Sequence, residues 1–362
     1  MSEAVIEAAG KNIAPDAQFG PGVVIKAREL RLGPGCRIGV ETEDNFRCAA
    51  GVRVECDVLE MAAGTVIDRS VLIRGGILRF GRGCRIGPGA TFRVEGELHV
   101  GAGGQFGPDC VVEGRRITVG RELWTGPQVR IGGGSALEVQ SELEIGHWCH
   151  LGMRVFVNTA RKVSIGNEVG IGTGSSIFTH GAYQSFWNGY PVSFAPVTIE
   201  DNCWIPGAVI NPGVTIGRGA VIGVGSVVTK SVPAGSLAAG IPCKVLKESA
   251  FPRPLTAEER RELAGSFLAA AAPILADFTG GAAHSETDGF SVADSIVRYE
   301  APARIVVERG RGRTVFDIEQ KKIAGRCDRL TERLRDLLRR HGVRFRSEPT
   351  GAGYADWSEN DK

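Results

Sequence analysis

Between Val197 and Leu246 an aliphatic residue returns about every six places: Ile199, Ile205, Ile210, Ile216, Ile222 and Val228. A six-residue period suits neither an α-helix, which repeats every 3.6 residues, nor an alternating strand, which repeats every two. It is the period of a hexapeptide β-helix, in which each short run forms one flat side of a prism. Ile-Gly and Leu-Gly pairs carry the pattern back through Ile171, Ile165, Leu151, Ile145, Ile86, Ile38 and Leu32. Most of the chain therefore reads as one solenoid, which grows without splitting into domains, so its function belongs on its surface or between copies.

Composition agrees. Glycine supplies 51 of 362 residues, about twice the usual ~7%, and the excess follows repeat aliphatics, where tight corners favour a residue without Cβ. The net charge of +2 gives no reason to expect nucleic acid or an anionic membrane as partner. No apolar run reads as the ~20 residues of a membrane span, and the start, MSEAVIEAAGKNIAPDAQ, lacks a basic region followed by an apolar segment. The nine cysteines form no CxxC pair. Cys36, Cys84, Cys149 and Cys203 each stand two places before a repeat aliphatic. That slot points into a narrow prism, where a thiol serves as a small hydrophobe, and free thiols imply a reducing, cytoplasmic setting.

The expected organisation is a polar leader over 1–12, a β-helix over 13–248, and a linker with one helix over 249–279. A small α+β appendage over 280–348 and a disordered tail over 349–362 follow. Equivalent residues lie 20 apart from Phe80 to Val100, 19 from Val100 to Val119 and 20 from Ile145 to Ile165, so coils carry an extra residue or two beyond three hexapeptides. In the linker, Thr256 and Glu259 form a capping box for a helix from Ala257 to about Ala272, disturbed at Pro273. Strands are expected near FSVADSIVRY, RIVVE and TVFDI. Leu330, Leu334, Leu337 and Leu338 mark a second helix ended by Gly342, and the run VRF reads as a last strand.

His180 is the histidine whose setting points to chemistry. It ends the repeat IGTGSSIFTH and opens an insertion to Pro196 that holds Tyr183, Phe186, Trp187, Tyr190 and Phe194. A loop so apolar packs on a neighbouring subunit or covers a ligand. An imidazole beneath such a lid suits a general base, because imidazoles titrate near neutral pH. His147 and His150 suggest a metal, but they stand three apart with no third repeat-positioned partner. Structural or external roles fit them better, and no metal is expected.

The motif TH, a projecting loop, PVTIEDNCWI and then INPGVTIGRGAVIGVGSVVTKSVPAGSLAAGIPCKVLKE resembles the hexapeptide-repeat acyltransferases, especially the maltose, galactoside and polysaccharide O-acetyltransferase branch. The resemblance is close over 145–248, extends in fold over 13–144, and does not cover 250–362. It implies a homotrimer of left-handed parallel β-helices that binds acetyl-CoA, or another acyl-CoA, in the cleft between subunits. It also implies His180 as base in a direct transfer without an acyl-enzyme. Trp204, Gly207, Ala208, Val224, Gly225, Thr229, Lys230 and Lys247 match coenzyme-binding positions. Taken alone, the two lysines read as surface charges and Trp204 equally as a packing residue. The loop residues Tyr183, Phe186, Trp187 and Tyr190 are expected to bind the acceptor, a hydroxyl or amine of a sugar or similar metabolite. One departure stands out. CWIPG has five residues to the next repeat aliphatic where the family has six, and Pro206 has no N–H to offer the donor. Two other readings use the same residues: an acyl carrier protein as donor, and a non-catalytic trimeric scaffold.

Overall fold

The computed structural model describes residues 3–40 and 51–345; the tail expected over 349–362 lies outside the described residues. The chain divides into two compact units, Met1–Pro252 and Arg253–Lys362.

The first unit is a parallel β-helix, and its coils change form along the chain. In the N-terminal coils one long strand alternates with a two-residue strand. The long strands are Val5–Ile13, Val24–Leu32, Arg53–Met61, Leu72–Phe80, Thr91–Val100 and Val111–Val119, each hydrogen-bonded in parallel to the next. Residues 5–12, expected in a leader, thus belong to the first strand, Val5–Ile13, with Val5 opposite Val24; their alternating side chains suit a half-exposed strand better than free coil. Each long strand makes two sides of the prism and turns between them without a loop. Gly75 shows what that requires: its φ is +148°, and a Cβ there would come within 1.9 Å of Val94 O.

After Val119 the long strand divides. Its first half continues as Arg130–Gly132, Phe156–Asn158, Ser176–Ile177, Ala208–Ile210 and Ser226–Val228, here called the first face. Its second half continues as Glu142–Ile145, Val163–Ile165, Val197–Ile199 and Thr215–Ile216, the second face. The short strands run on as the third face through Trp124–Thr125, His150–Leu151, Gly170–Ile171, Trp204–Ile205, Val221–Ile222 and Leu237–Ala239. The corner between first and second faces now opens into loops, notably 133–141 and 178–196. Those loops carry the candidate site.

The repeat aliphatics fill the prism: Ile38, Ile67, Ile171, Ile205, Ile216 and Ile222 are all buried. Each such side chain contributes roughly 1.5–3 kcal/mol. The cysteines lie where expected, with Cys36, Cys84, Cys149 and Cys203 buried. Burial pushes the Cys84 thiol up to about 12 and Cys203 to about 11, so neither ionises near neutral pH.

The second unit packs two helices and an antiparallel sheet into one core. Helix α1 (Ala257–Thr279) starts at the expected capping box and runs through Pro273 to Gly280, which takes a left-handed conformation. The helix outlasts the proline because Leu268, Ala271, Leu275 and Ala276 are buried on both sides of it, which offsets the ~3 kcal/mol that an internal proline costs. By length and composition α1 is apolar enough to cross a membrane, contrary to the sequence reading; here one stripe of it is buried in the unit's core. Six strands follow in a meander: Ala283–Glu286, Gly289–Val292, Ser295–Glu300, Arg304–Arg309, Gly312–Asp317 and Lys322–Ala324. Helix α2 (Arg329–Arg340) buries Leu330, Leu334, Leu337 and Leu338. The run 343–345 is not a strand; Phe345 instead packs edge-on against Phe316, 5.4 Å between centroids.

Candidate functional site

His180 sits where the corner between first and second faces is widest. Residues His180–Gly181 pair antiparallel with Ser193–Phe194, closing residues 182–192 into a hairpin tip with one 3₁₀ turn at Phe186–Asn188. The ring is fixed on two sides. Its Nδ1 lies 2.8 Å from Oδ1 of Asn158, from the coil before. Phe194, its cross-strand partner, stacks on it at 5.7 Å and 22°. The Arg161 guanidinium lies over Phe194, 4.6 Å from the ring centre.

Asn158 decides which tautomer the neutral ring takes. It is fully buried. Its Oδ1 accepts from Thr179 Oγ1 at 2.7 Å and from Ala160 N at 3.3 Å, while its Nδ2 donates to Gly132 O at 3.2 Å. Ala160 N can only donate and Gly132 O can only accept, so the amide has one orientation. Oδ1 therefore faces His180 and accepts from Nδ1, so in the neutral tautomer the free lone pair lies on Nε2. Thr179 is held in turn by Arg161 N, which donates to its Oγ1 at 3.1 Å. Beyond Nε2 lies the backbone of Gly134, from which an added Cβ would stand 3.6 Å from Nε2.

The loop aromatics Tyr183, Phe186, Trp187 and Tyr190 are all exposed, Trp187 by 85%. They project from the corner that holds His180 and do not fold back over it. The residues matched to coenzyme contacts divide into groups. Gly207, Ala208, Val224 and Gly225 line the corner between third and first faces, with Trp204 just before them on the third face, 59% exposed. Thr229 and Lys230 are exposed at the opposite edge of the first face, the edge His180 shares. Lys247 ends the strand Lys244–Lys247, which pairs antiparallel with Leu237–Ala239 at the end of the third face. His180 and Gly207 thus flank opposite edges of one face. About five extended residues, or ~16 Å at ~3.3 Å each, separate them.

The five-residue corner keeps its place in the stack. A Cβ on Gly172 would lie 2.0 Å from Pro206 O, an approach as close as that at Gly20 or Gly51 in earlier coils, so the shortened turn still stacks on the coil before it. Ala208 N donates to Ser175 Oγ at 3.2 Å. Pro206 has no N–H, and among the described residues nothing accepts from Gly207 N. Gly207 is therefore the amide this corner can present. The other histidines have local roles: His147 Nδ1 accepts from Arg121 N at 2.9 Å, and His150 packs edge-on against Trp124 at 4.4 Å.

Sequence reasoning passed over Asn158, Arg161 and Gly134, and counted Phe194 without giving it a role. The signal for Asn158 was a polar residue closing a repeat run, FVN, about one coil before TH.

Residues 196–230 match the family model described as bacterial transferase hexapeptide (six repeats). The chain is 38% identical over 135 residues to the galactoside O-acetyltransferase of Escherichia coli K12; the match spans 36% of this chain and 63% of that enzyme. Similar solved structures include a hexapeptide-repeat acetyltransferase of Vibrio cholerae complexed with acetyl-CoA. It is 27% identical over 39% of this chain and 69% of its own, with a TM-score of 0.26. A maltose O-acetyltransferase of Clostridium difficile 630 is 27% identical over 39% of this chain and 67% of its own, with a TM-score of 0.24. The resemblance carried by the closing repeats is thereby shown: the β-helix bears the bacterial transferase hexapeptide repeat and is similar in sequence to the acetyltransferases that use it.

Proposed function

We propose that this hexapeptide-repeat chain is an acyltransferase that moves an acetyl group from acetyl-CoA to a hydroxyl or amine of a sugar-like acceptor, in the cytoplasm and as a homotrimer. The observation that carries this reading is the Asn158–His180 pair, which in the neutral tautomer leaves the Nε2 lone pair open at the mouth of an aromatic loop. The acceptor's proton passes to Nε2 as its oxygen or nitrogen attacks the thioester carbonyl. The tetrahedral intermediate collapses, the C–S bond breaks, and the leaving thiolate takes the proton from the imidazolium. No acyl-enzyme is needed. The developing oxyanion requires a preorganised donor, and Gly207 N is the amide available on the coenzyme side.

Assembly follows from geometry. His180 and the Gly207–Gly225 edge stand too far apart for one chain to hold a thioester carbonyl against its own base. A neighbouring copy that brings its Gly207 edge to the His180 corner makes the site whole. Lys230 and Lys247 would then serve the coenzyme phosphates as point charges, and Trp187 or Tyr190 the acceptor. The 38% identity to a galactoside O-acetyltransferase supports a sugar acceptor.

The test is binding and turnover together. Calorimetry with CoA should give a saturable isotherm. Release of free thiol from acetyl-CoA should depend on an added galactoside and fall ~10²–10⁴-fold in His180→Ala. A protein that ignores CoA but accepts acetyl from an acyl carrier protein would move the donor assignment to the carrier. One that binds neither would be a scaffold.

A further inference from the structure

The site just described contains a glycine that the fold does not require. Gly132 and Gly133, at φ +125° and +96°, occupy backbone conformations that favour glycine. Gly134 does not: its φ lies outside the left-handed range, and it is exposed to solvent. Among the described residues, its two chain neighbours apart, the atoms a Cβ would meet within 4 Å are Nε2 of His180 at 3.6 Å and Cε1 at 3.7 Å. Those are ordinary contact distances, so alanine would fit the backbone without strain. The place it would fill lies beside the Nε2–Cε1 bond, away from the nitrogen that Asn158 holds.

We infer that Gly134 is a specificity-determining residue: its missing side chain leaves room at Nε2 of His180 for an acceptor hydroxyl together with the carbon that bears it. The inference rests on the acyltransferase reading and extends it to the shape of the acceptor. A hydroxyl oxygen hydrogen-bonded to Nε2 stands about 2.6–3.2 Å away, and its carbon stands about one bond further out. A methyl on residue 134 would lie at that same distance from Nε2. Water could still pass beside it. The carbon that bears an acceptor hydroxyl needs the space that Gly134 leaves empty. The neighbouring loop is firm enough to hold this opening: Ala136 N donates to Gly133 O at 2.9 Å, and Ala136 and Ser141 are buried.

Two measurements on Gly134→Ala and Gly134→Val test this. The first does not depend on acyl transfer. Diethyl pyrocarbonate acylates an unprotonated imidazole nitrogen, and peptide mass spectrometry reads the rate at each histidine. Wild type should react at His180, Gly134→Ala more slowly, and Gly134→Val about tenfold more slowly. Exposed His284, in the other unit, should react equally in all three and so reports intact handling. Equal rates at His180 in wild type and Gly134→Val would overturn the inference. The second measurement uses acetyl-CoA with p-nitrophenyl β-galactoside. Gly134→Ala should lower kcat/KM for the galactoside at least tenfold, and Gly134→Val further, with the CoA dissociation constant unchanged within twofold. Protection of His180 with unchanged galactoside kinetics would overturn the specificity role. Protection of His180 in a protein whose wild type does not bind CoA would sink the acyltransferase reading instead.

Discussion

Asn158 Oδ1 and His180 Nδ1 lie 2.8 Å apart across two successive coils, and the bonds to Ala160 N and Gly132 O fix which amide atom of Asn158 faces the ring. The pair depends on coil register, because Oδ1 reaches Nδ1 only if both coils stack as they do. Asn158→Ala should leave CoA binding within about twofold while lowering kcat by roughly 10²-fold, the low end of the range for general base catalysis. It also strips partners from buried Thr179 and Gly132 O, so a stability loss of about 1–3 kcal/mol is expected. Turnover normalised to folded protein separates the two effects. A normalised kcat near wild type would show that Asn158 is merely structural.

The N-terminal coils make a separate prediction about folding. Gly75→Ala adds a Cβ that would meet Val94 O at 1.9 Å, at a φ of +148°. The neighbouring strand cannot yield without breaking its pairing with Leu72–Phe80. Strain of this kind costs ~1–3 kcal/mol, and the backbone clash adds to it. Thermal unfolding should show a clear drop in Tm, whereas CoA affinity, which we propose for the distant closing coils, should hold. An unchanged Tm would mean that the long strand turns elsewhere.

How far the sequence could be read depended on how regular each corner is. Where six residues separate inward aliphatics, as from Ile216 to Ile222 to Val228, the inward residues and the buried Cys203 followed from the period, whereas buried Cys110 in the earlier coils was not singled out. The N-terminal coils were harder, because Gly75 and Gly76 turn the chain without a loop and two faces merge into one nine-residue strand. Asn158 was harder still. It stands 22 residues before His180, whereas Ile177 and its coil-mate Ile210 are 33 apart. With corners so variable, only the register shows which polar residue stands beside which. The second unit was legible in its helix signals, Thr256 and Glu259 and the α2 leucines. That α1 shares a core with the sheet follows from contacts between Leu268 or Leu275 and strands distant in sequence.

The buried thiols imply a pH dependence of known sign. Burial pushes Cys56 and Cys84 up to about 12 and Cys203 to about 11, while a thiol in the unfolded chain titrates near ~8.5. Between those values the unfolded chain releases protons that the folded one keeps. Stability from these residues is therefore whole below about pH 8.5 and declines as pH rises toward 11. The Tm of wild type should fall between pH 8 and 10.5 more steeply than that of Cys84→Ala. Cys84 and Cys203 should also resist iodoacetamide in the native protein and react fully in denaturant. Equal slopes in the two proteins would remove the thiols as the cause.

The exposed loop yields the prediction that divides two accounts of the same aromatics. Trp187 and Tyr183 are 85% and 96% exposed, and together with Phe186 and Tyr190 they form an apolar patch beside the base. If they stack on the acceptor, Trp187→Ala should raise the acceptor KM or lower kcat/KM, because an aromatic face offers a large contact to the apolar face of a sugar and loses few rotamers in doing so. CoA affinity and the assembly state would not move. If they pack on a neighbouring subunit, the same variant should weaken the trimer, seen as a concentration-dependent shift in sedimentation, and all steady-state parameters should fall together. We expect the first result. Sedimentation and acceptor kinetics on one preparation decide it: a dissociated Trp187→Ala protein whose remaining trimers show wild-type KM would assign the loop to assembly.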